Sequence, residues 1–544
     1  MSGRSKLRIA LAQHDFPVGA VAANRERVAS LIAAARDASA HLVAFPELAL
    51  SGYPPEDLLY RRAFVDACRE AAQDLAGAAH AIEAVVGVPL ENAGALRNAA
   101  LWLADGMLAD CYAKQELPNH TVFDEKRYFE SGAQRALVRE VAGTRVAVIV
   151  CEDVWVEGPA AQAAAAGAEL LLVINASPFE RGKDVRRIAR LGAVAQMHGL
   201  GIAYLNCVGG QDDLVFDGGS LLVDGDGRVA ARAVACEEAL LLADFDPATR
   251  RFRTLAWRDE HDTGEEAQVY RAAMLATADY VGKNGFPGAL LGLSGGIDSA
   301  LVLAIAADAL GPERVTAVML PSRYTSRLST DLATAQAQAL NVELLELPIE
   351  GPFRAFLDVL APHFAGQPPD IAEENLQSRS RGALLMALSN RGGRLLLSTG
   401  NKSEMAVGYA TLYGDMCGGF APIKDLYKTE VYALARWRNR DGETIPQGVI
   451  ERAPSAELRH HQTDQDSLPP YEVLDAILRG FIDEERSLGE LLAEGVASEP
   501  EIARVVRLVL GSEFKRRQAA PGPKLGRRAF GRDRRYPITG GWKG

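Results

Sequence analysis

The sequence predicts an α/β protein of two units, and three observations support this prediction. Residues 7–206 alternate short apolar runs, typical of strands, with longer segments of helical periodicity. Residues 244–266 interrupt the alternation with charged, irregular sequence. A second alternation surrounds a glycine turn at 293–299, between an apolar run and an Ala/Leu-rich stretch. We therefore predict a first unit at 1–250, a linker at 251–266 and a second unit at 267–544.

The elements of the first unit follow one another along the chain. Strands are predicted where short apolar runs lie between turn signals, and helices where apolar residues recur every third or fourth position. The strands are expected at 7–12, 42–45, 84–88, 99–103, 145–150, 170–174, 202–206, 220–223 and 239–243, and the helices at 24–36 and 61–75. This order predicts a layered α/β fold.

The second unit opens with a predicted helix at 267–283. Strands follow at 289–291, 315–320, 342–347 and 394–398, with helices between them. Strands that alternate with helices form a parallel, doubly wound sheet. Ligands are expected at the carboxyl ends of its strands.

Composition indicates an ordinary soluble globular protein. Hydrophobic residues make up 48% and charged residues 24%, with no apolar run near the roughly 18 residues of a membrane span and no signal-peptide pattern. The net charge of −12, from 59 basic and 71 acidic residues, disfavours a nucleic-acid partner. Six cysteines without a Cys-x-x-Cys pair argue against disulfides or a zinc ribbon, so the expected location is cytoplasmic.

The C-terminal tail departs from this charge balance. From Lys515 onward it carries ten Lys or Arg residues and one acid, Asp533. A solvated tail and a lining for an anionic ligand both fit such a run.

The glycine turn predicts a nucleotide site. Gly295 and Gly296 let the backbone approach a phosphate, and the amides at the helix N-terminus hold it. A Walker lysine is missing from this turn, which offers instead the hydroxyls of Ser294 and Ser299 and the carboxylate of Asp298. These groups suit a pyrophosphate leaving group with Mg²⁺ held by Asp298. The turn resembles the pyrophosphate loop of the ATP pyrophosphatase superfamily, which cleaves ATP between the α- and β-phosphates to adenylate its substrate.

Three segments of the first unit each follow or end an apolar strand: 45–48 (Phe-Pro-Glu-Leu), 112–118 (Tyr-Ala-Lys-Gln-Glu-Leu-Pro) and 150–155 (Val-Cys-Glu-Asp-Val-Trp). A strand-end cysteine presents its thiol to a pocket, a lysine favours the thiolate, and a carboxylate takes and returns the proton. Together they suit amide hydrolysis through a thioester. Taken one at a time, each residue also fits a structural role: Cys151 as a core thiol, Glu47 as a solvated acid and Lys114 as a surface charge.

The three segments resemble the carbon-nitrogen hydrolase (nitrilase) superfamily over about residues 5–260, which implies an αββα sandwich. The resemblance implies that Glu47 is the general base, Lys114 the stabiliser of the oxyanion and Cys151 the nucleophile. It also implies an auxiliary role for Glu125 and glutamine contacts for His120, Ser177 and Lys183.

An amidase joined to an adenylating domain has a chemical logic, because the first releases ammonia and the second prepares an electrophile for it. Free ammonia is mostly protonated at neutral pH, which favours physical coupling of the two sites. The second half carries five further motifs at 374–382, 397–404, 413–415, 424–428 and 512–517. With them the chain resembles the glutamine-dependent NAD⁺ synthetase family over nearly its full length. This implies conversion of deamido-NAD⁺, ATP and glutamine to NAD⁺, AMP, pyrophosphate and glutamate.

The same resemblance implies a Rossmann-like sheet of the ATP pyrophosphatase type and assigns binding residues to the second unit. The ATP-binding residues are Gly292, Leu293, Ser294, Gly295, Gly296, Ile297, Asp298, Ser299, Thr399, Lys428 and Ser455. The deamido-NAD⁺ residues are Asn375, Arg379, Glu404 and Lys515, and Asp298 and Glu404 hold Mg²⁺. The chain is expected to act as a homo-oligomer without nucleic-acid or membrane partners.

Three positions differ from ammonia-only relatives, which carry Lys, Asp and His where this chain has Leu412, Gly419 and Phe514. Two other functions remain open at this point. One is an enzyme with the same chemistry but another acceptor, such as a nucleotide or a tRNA base. The other is a regulatory protein that only binds nucleotide, which the presence of Glu47, Lys114, Cys151 and Asp298 disfavours.

Overall fold

The computed structural model of the protein describes residues 6–92, 94–364, 366–455, 457–459 and 462–542. The chain divides into two compact units, Met1–Gln268 and Val269–Gly544. Within the described residues, no helix combines the length and the apolar composition that a membrane crossing requires.

The first unit is built around two β-sheets. Its strands are β1 (Leu7–Gln13), β2 (Leu42–Ala44), β3 (Glu83–Asn92), β4 (Ala95–Ala104), β5 (Met107–Ala113), β6 (Val138–Val141), β7 (Thr144–Val150), β8 (Leu170–Asn175), β9 (Gly201–Asn206), β10 (Val208–Gln211), β11 (Leu214–Asp217), β12 (Leu221–Val223), β13 (Val229–Arg232), β14 (Ala239–Asp246) and β15 (Arg251–Ala256). Its helices are α1 (Val21–Asp37), α2 (Arg62–Ala76), α3 (Gly158–Ala165) and α4 (Lys183–His198).

The two sheets and the helices form the four layers of the predicted αββα sandwich. One sheet has the order β15-β14-β1-β2-β3-β4-β5 and the other β13-β12-β9-β8-β7-β6. Residues of both sheets, such as Leu11 and Val148, share one buried core, while α1 and α2 cover the opposite face of the first sheet. Strands buried on both faces read as continuous apolar runs, which explains why the sequence revealed them.

The structure contains elements that the sequence did not predict, namely strands β5, β6, β10, β11, β13 and β15 and helices α3 and α4, and β15 also lies in the predicted linker. The predicted linker at 251–266 begins with strand β15, which pairs antiparallel with β14. The Phe252 ring packs 4.9 Å from that of Phe245, whereas the other residues of the strand are exposed. An edge strand with two arginines and one inward aromatic residue lacks the apolar run that predicts a strand.

The second unit contains a parallel sheet with helices around it. Its strands are β16 (Ala289–Gly292), β17 (Val315–Met319), β18 (Glu343–Glu346) and β19 (Leu395–Leu397). Its helices are α5 (Glu265–Lys283), α6 (Ile297–Leu310), α7 (Arg327–Ala339), α8 (Glu350–Phe364), α9 (Ile371–Gly392), α10 (Lys402–Val407), α11 (Lys428–Arg438), α12 (Gln447–Glu451), α13 (Tyr471–Leu478), α14 (Leu488–Ala493), α15 (Glu499–Gly511) and α16 (Glu513–Arg516).

The strand order β18-β17-β16-β19 confirms the doubly wound sheet. The chain builds outward from β16 through β17 to β18 and then returns to the other side of β16 with β19. The order therefore reverses between β16 and β19, where α/β sheets of this kind bind ligands. The glycine turn follows β16 directly.

The basic tail is folded against the second unit as far as Tyr536, whose carbonyl accepts a hydrogen bond from Arg517 at 3.0 Å. Lys524 Nζ pairs with Asp533 Oδ2 at 2.8 Å, and both side chains are buried. The amides of Leu525 and Gly526 donate to Asp425 Oδ2 at 2.8 and 2.6 Å. A solvated tail is therefore excluded for residues 515–534, because buried ion pairs and hydrogen bonds from buried amides hold this part. Residues 537–542 are exposed.

Candidate active sites

The first site lies where several strands of the first unit end. Glu47 follows β2, Lys114 follows β5 and Cys151 follows β7. Lys114 Nζ lies 2.7 Å from Glu47 Oε1 and 2.8 Å from Glu125 Oε1, and all three side chains are buried. The structure thus brings together Glu47, Lys114 and Glu125, which lie in separate segments of the sequence.

Glu47 is held from several directions. Its Oε1 accepts a hydrogen bond from Asn98 Nδ2 at 2.7 Å in addition to that from Lys114. Its Oε2 accepts from the backbone amide of Ala176 at 3.0 Å. Such a shell fixes the carboxylate in one orientation, which a general base requires.

Cys151 occupies a strained turn at the end of β7. Its φ of 47° lies in the left-handed region that non-glycine residues rarely adopt, and it opens a 3₁₀ turn, Cys151–Val154. The buried carboxylate of Asp153 anchors that turn. It accepts from the amides of Gln115 at 3.1 Å, Glu116 at 2.8 Å and Val150 at 3.1 Å.

We expect Asp153→Ala to lower the free energy of unfolding of the first unit by about 3 kcal/mol. Two buried amides, one part-buried amide and the buried Tyr112 hydroxyl lose their acceptor at about 1–3 kcal/mol for each buried group, with partial relaxation. Asp153→Asn retains one acceptor oxygen and should lose less. Denaturant unfolding of both variants measures the difference. An alanine variant as stable as the wild type would show that Asp153 does not anchor the turn.

Burial and neighbouring charges set the protonation of this site. Burial alone would lower the pKa of Lys114, but the carboxylates of Glu125 and Glu47 outweigh it and hold that pKa well above its ordinary value. Burial raises the pKa of Glu125 to about 7. Burial and the charge of Glu47 raise the pKa of the Cys151 thiol, while Lys114 opposes the shift. The resting thiol is therefore neutral and needs a base to become a nucleophile.

The predicted glutamine contacts differ in their surroundings. Ser177 is buried, and its amide donates to Asn206 Oδ1 at 2.8 Å. Lys183 Nζ donates to the Pro178 carbonyl at 3.0 Å, and burial together with the charge of Arg187 lowers its pKa to about 8. His120 is instead 61% exposed, with Nε2 3.8 Å from Glu152 Oε1.

The second site is the cavity at the carboxyl ends of β16 and β19. It has a volume of about 930 Å³ and is lined by the glycine turn, the start of α9 and Lys515. Ser294 Oγ and Ser299 Oγ lie 3.1 Å apart, and the Gly296 amide donates to Ser294 Oγ at 3.2 Å. The turn is thus held in shape by hydrogen bonds among its own amides and hydroxyls, and Ser294, Gly296 and Ser299 line the cavity.

Of the predicted nucleotide-binding residues, most line this cavity. They are Gly292, Leu293, Ser294, Gly296, Ile297, Asp298, Ser299, Asn375, Thr399, Glu404, Lys428, Ser455 and Lys515. Gly295 lies behind the lining, at φ 76°, where an added Cβ would meet the Ser329 carbonyl at 2.3 Å. Arg379 also lies outside the lining, with Nε 3.2 Å from the carbonyl of Leu412.

A charged cluster lies beside the glycine turn. Lys428 Nζ is 2.5 Å from Asp298 Oδ2 and 3.0 Å from Glu404 Oε1. Asn401 Nδ2 donates to Asp298 Oδ1 at 2.8 Å, while its Oδ1 caps α10. Burial raises the pKa of Glu404, and the ammonium of Lys428 opposes this shift by stabilising the carboxylate. The two carboxylates predicted to hold a metal ion are therefore joined by a single ammonium group.

Sequence reasoning missed several residues that support these sites. In the first site they are Asn98, Tyr53 and Asp153; Tyr53 OH donates to Glu125 Oε1 at 2.9 Å. In the second they are Asn401 and Asp464, whose Oδ2 accepts from Tyr471 OH at 2.9 Å. Asp153 and Asn401 lie inside the motifs at 150–155 and 397–404, so their position in those motifs could have identified them. Tyr53, Asn98 and Asp464 lie outside the motifs, and no feature of the sequence indicated their role.

Comparisons with known proteins cover both units. A family model described as carbon-nitrogen hydrolase matches residues 8–253, and one described as NAD synthase matches residues 269–519. The glutamine-dependent NAD(+) synthetase of Xanthomonas campestris pv. campestris is 56% identical over 542 residues, covering 99% of this chain and 98% of that protein. The one from Acinetobacter baylyi is 46% identical and covers 98% and 99%.

Solved structures agree with these matches. The structure of glutamine-dependent NAD⁺ synthetase from Acinetobacter baumannii in complex with adenosine diphosphate has a TM-score of 0.80 at 42% identity, covering 99% of each chain. A glutamine-dependent NAD(+) synthetase from Cytophaga hutchinsonii has a TM-score of 0.85 at 22% identity, covering 99% of this chain and 98% of that one. The second likeness concerns the fold alone.

Proposed function

Since the chain belongs to the glutamine-dependent NAD⁺ synthetases, we propose how its residues divide the reaction between the two units. The protein amidates deamido-NAD⁺ to NAD⁺ with nitrogen from glutamine and energy from ATP. Glutaminase chemistry is assigned to the first unit, at 1–250, and synthetase chemistry to the second, at 267–544. The acceptor of the ammonia is therefore deamido-NAD⁺ and not another nucleotide or a tRNA base, which the sequence had left open.

In the first unit, Glu47 accepts the proton of the Cys151 thiol as sulfur attacks the carboxamide carbon of glutamine. The ammonium group of Lys114 stabilises the oxyanion of the tetrahedral intermediate. Glu47 returns the proton to the leaving nitrogen, ammonia departs, and a thioester remains. A water molecule, deprotonated by Glu47, then attacks the thioester carbon, the C–S bond breaks, and Glu47 returns the proton to the Cys151 sulfur, which leaves glutamate. The observation that carries this proposal is the single lysine shared by Glu47 and Glu125 beside the thiol.

Lys183 and Ser177 are proposed to bind the amino acid end of glutamine. Lys183 is half-buried, and a substrate carboxylate would offset the desolvation of its ammonium group. His120 is proposed as a contact at the entrance, because its ring is exposed. Glu125 Oε2 is buried without a hydrogen-bond partner among the described residues, so it can accept one from the substrate amide.

In the second unit, an oxygen of the nicotinate carboxylate attacks the α-phosphorus of ATP, and pyrophosphate leaves. Ammonia then attacks the carbonyl carbon of the adenylate and displaces AMP. The glycine turn is proposed to bind the phosphates, because its amides and hydroxyls line the cavity. The adenosine diphosphate bound by the Acinetobacter baumannii relative supports an adenine nucleotide here.

Mg²⁺ fits the donors of the second site. Mg²⁺ is commonly bound by one or two carboxylates together with substrate phosphates. Asp298 and Glu404 provide two carboxylates that already converge on one cation, the ammonium of Lys428. When bound, the metal would neutralise charge on the pyrophosphate. Asn401 keeps Asp298 in position.

Product analysis tests this proposal. The purified chain is supplied with deamido-NAD⁺, ATP and glutamine, and the products are separated by chromatography. We expect NAD⁺, AMP and glutamate in equal amounts. Formation of ADP instead of AMP, or glutamate release without any AMP, would contradict the proposed division of chemistry.

Lys515 is proposed to contact the dinucleotide, together with Asn375, Arg379 and Glu404. Its ammonium donates to the carbonyls of Gly408 and Ala410, both at 2.8 Å, at the wall of the cavity. We expect Lys515→Ala to lower kcat/KM for deamido-NAD⁺ by an amount equivalent to about 1.5–3 kcal/mol, the range for hydrogen bonds to charged groups.

Steady-state kinetics with ammonia as the nitrogen source measure this loss. The matched control is Arg527→Ala, which removes an exposed cation from the same tail. An unchanged kcat/KM in Lys515→Ala, or an equal loss in the control, would remove Lys515 from the binding site.

Two broader proposals concern the setting of the enzyme. We propose a cytoplasmic location, supported by the ATP requirement and by free thiols at Cys68, Cys111, Cys151, Cys207, Cys236 and Cys417.

We also propose a homo-oligomer, supported by large apolar side chains that are exposed on α8 and α9, such as Val359 and Ile371. Light scattering of the purified chain tests the second proposal.

A further inference from the structure

Lys428, the first residue of α11, lies where the proposed metal ion would bind. Its Nζ is 2.5 Å from Asp298 Oδ2 and 3.0 Å from Glu404 Oε1, and its side chain is only 2% exposed. Mg²⁺ binds carboxylate oxygens at about 2.0–2.1 Å. An ammonium nitrogen and a metal ion cannot both lie between the same two oxygens at these distances.

The surroundings of Lys428 hold its ammonium group in this position. Its backbone amide donates to Ser403 Oγ at 2.8 Å, and its Nζ lies 5.1 Å from the centre of the Tyr471 ring. The carboxylate of Asp464, bonded to Tyr471, adds a third negative charge nearby. A buried cation surrounded by carboxylates cannot leave without a new counter-charge, because unpaired buried charges are costly.

Nucleotide phosphates would provide such a counter-charge. The glycine turn and Lys428 line the same cavity, so phosphates bound at the turn would lie close to the Lys428 side chain. Once the ammonium moves to a phosphate, Asp298 and Glu404 lose their cation. The two carboxylates then require another positive charge in the same place.

We propose that Lys428 is a placeholder for the metal ion: it joins Asp298 and Glu404 while the site lacks nucleotide, and it yields that position only when phosphates bind. The inference rests on the proposed function, in which these two carboxylates hold Mg²⁺. It follows that metal binding depends on nucleotide, and by linkage that nucleotide binding depends on metal to the same degree. The site would then exclude free divalent cations.

Binding of Mn²⁺ tests the placeholder and does not require the enzyme to turn over. The free Mn²⁺ that remains in solution is measured by electron paramagnetic resonance. The nucleotide is α,β-methylene-ATP, which cannot be cleaved between the α- and β-phosphates. Wild-type protein should bind Mn²⁺ at this site only when the analogue is present. Lys428→Met should bind Mn²⁺ without nucleotide at least ten-fold more tightly than wild type.

Two variants serve as controls. Lys428→Arg keeps the positive charge and should still require the nucleotide. Lys424→Met removes a lysine whose Nζ donates to the Ala520 carbonyl at 2.6 Å in the same stretch of chain, and it should behave as wild type. If Lys428→Met fails to fold, as judged by circular dichroism, Lys428→Gln removes the charge and retains a donor.

The outcomes distinguish a failure of the Lys428 placeholder from a failure of the proposed metal site. If folded Lys428→Met or Lys428→Gln binds nucleotide-free Mn²⁺ no more tightly than wild type, the placeholder is overturned. If wild type binds Mn²⁺ with the analogue equally well after Asp298→Asn, the carboxylates do not hold the metal and the proposed site itself fails. The third outcome is that Lys428→Met binds Mn²⁺ tightly without nucleotide, and that adding Asp298→Asn to this variant abolishes the binding. This outcome supports both the placeholder and the proposed metal site.

Discussion

We expect Cys151→Ala to lose NAD⁺ synthesis from glutamine, to below about one thousandth of the wild-type rate, and to retain most of its synthesis from ammonia. Only the thioester step uses the Cys151 sulfur, and removal of a catalytic nucleophile costs several orders of magnitude in rate. Ammonia supplied from solution bypasses this step. Parallel assays with glutamine and with a saturating ammonium salt measure the two rates.

Cys68→Ala is the matched control, since Cys68 is also a buried thiol but lies on the core-facing side of α2. It should retain both activities. Loss of both activities in a folded Cys151→Ala variant would contradict separate chemical sites. Glutamine-dependent synthesis at the wild-type rate would exclude Cys151 as the nucleophile.

Asp298→Ala should have the complementary effect and stop NAD⁺ formation from either nitrogen source. The variant loses one of the two carboxylates proposed for the metal and leaves both Lys428 and Asn401 without a partner that each now contacts. We expect a loss of about 100-fold or more, the size seen when a group that stabilises developing charge is removed. Release of pyrophosphate with ammonia as the nitrogen source measures it.

Glutamate release distinguishes this effect from general damage. The Asp298→Ala variant should still hydrolyse glutamine at the basal rate, measured without ATP and deamido-NAD⁺. Asp308→Ala provides a control on the same helix, because Asp308 pairs with Arg438 rather than with Lys428. Normal ammonia-dependent synthesis in Asp298→Ala would remove Asp298 from the mechanism.

Much of the fold could be predicted because its signals are local. The strands that end at Glu47, Cys151 and the glycine turn are buried on both faces, and their apolar runs are visible without any neighbour. Strand β15 was missed because an exposed edge strand has one inward side chain and few apolar residues. The sequence could not decide whether the C-terminal tail is solvated or folded, because a basic run has the same composition in both cases.

The sequence by itself determined the two-unit α/β organisation, the nucleotide turn and the Glu47, Lys114 and Cys151 set, because periodicity and short motifs are properties of neighbouring residues. Only the tertiary structure decided which charges meet. Lys114 and Glu47 are 67 positions apart, and Lys428 and Asp298 are 130 apart, yet both pairs are in contact. Their pairing depends on sheet order and burial, which bring distant strand ends together and leave each buried charge with a particular partner.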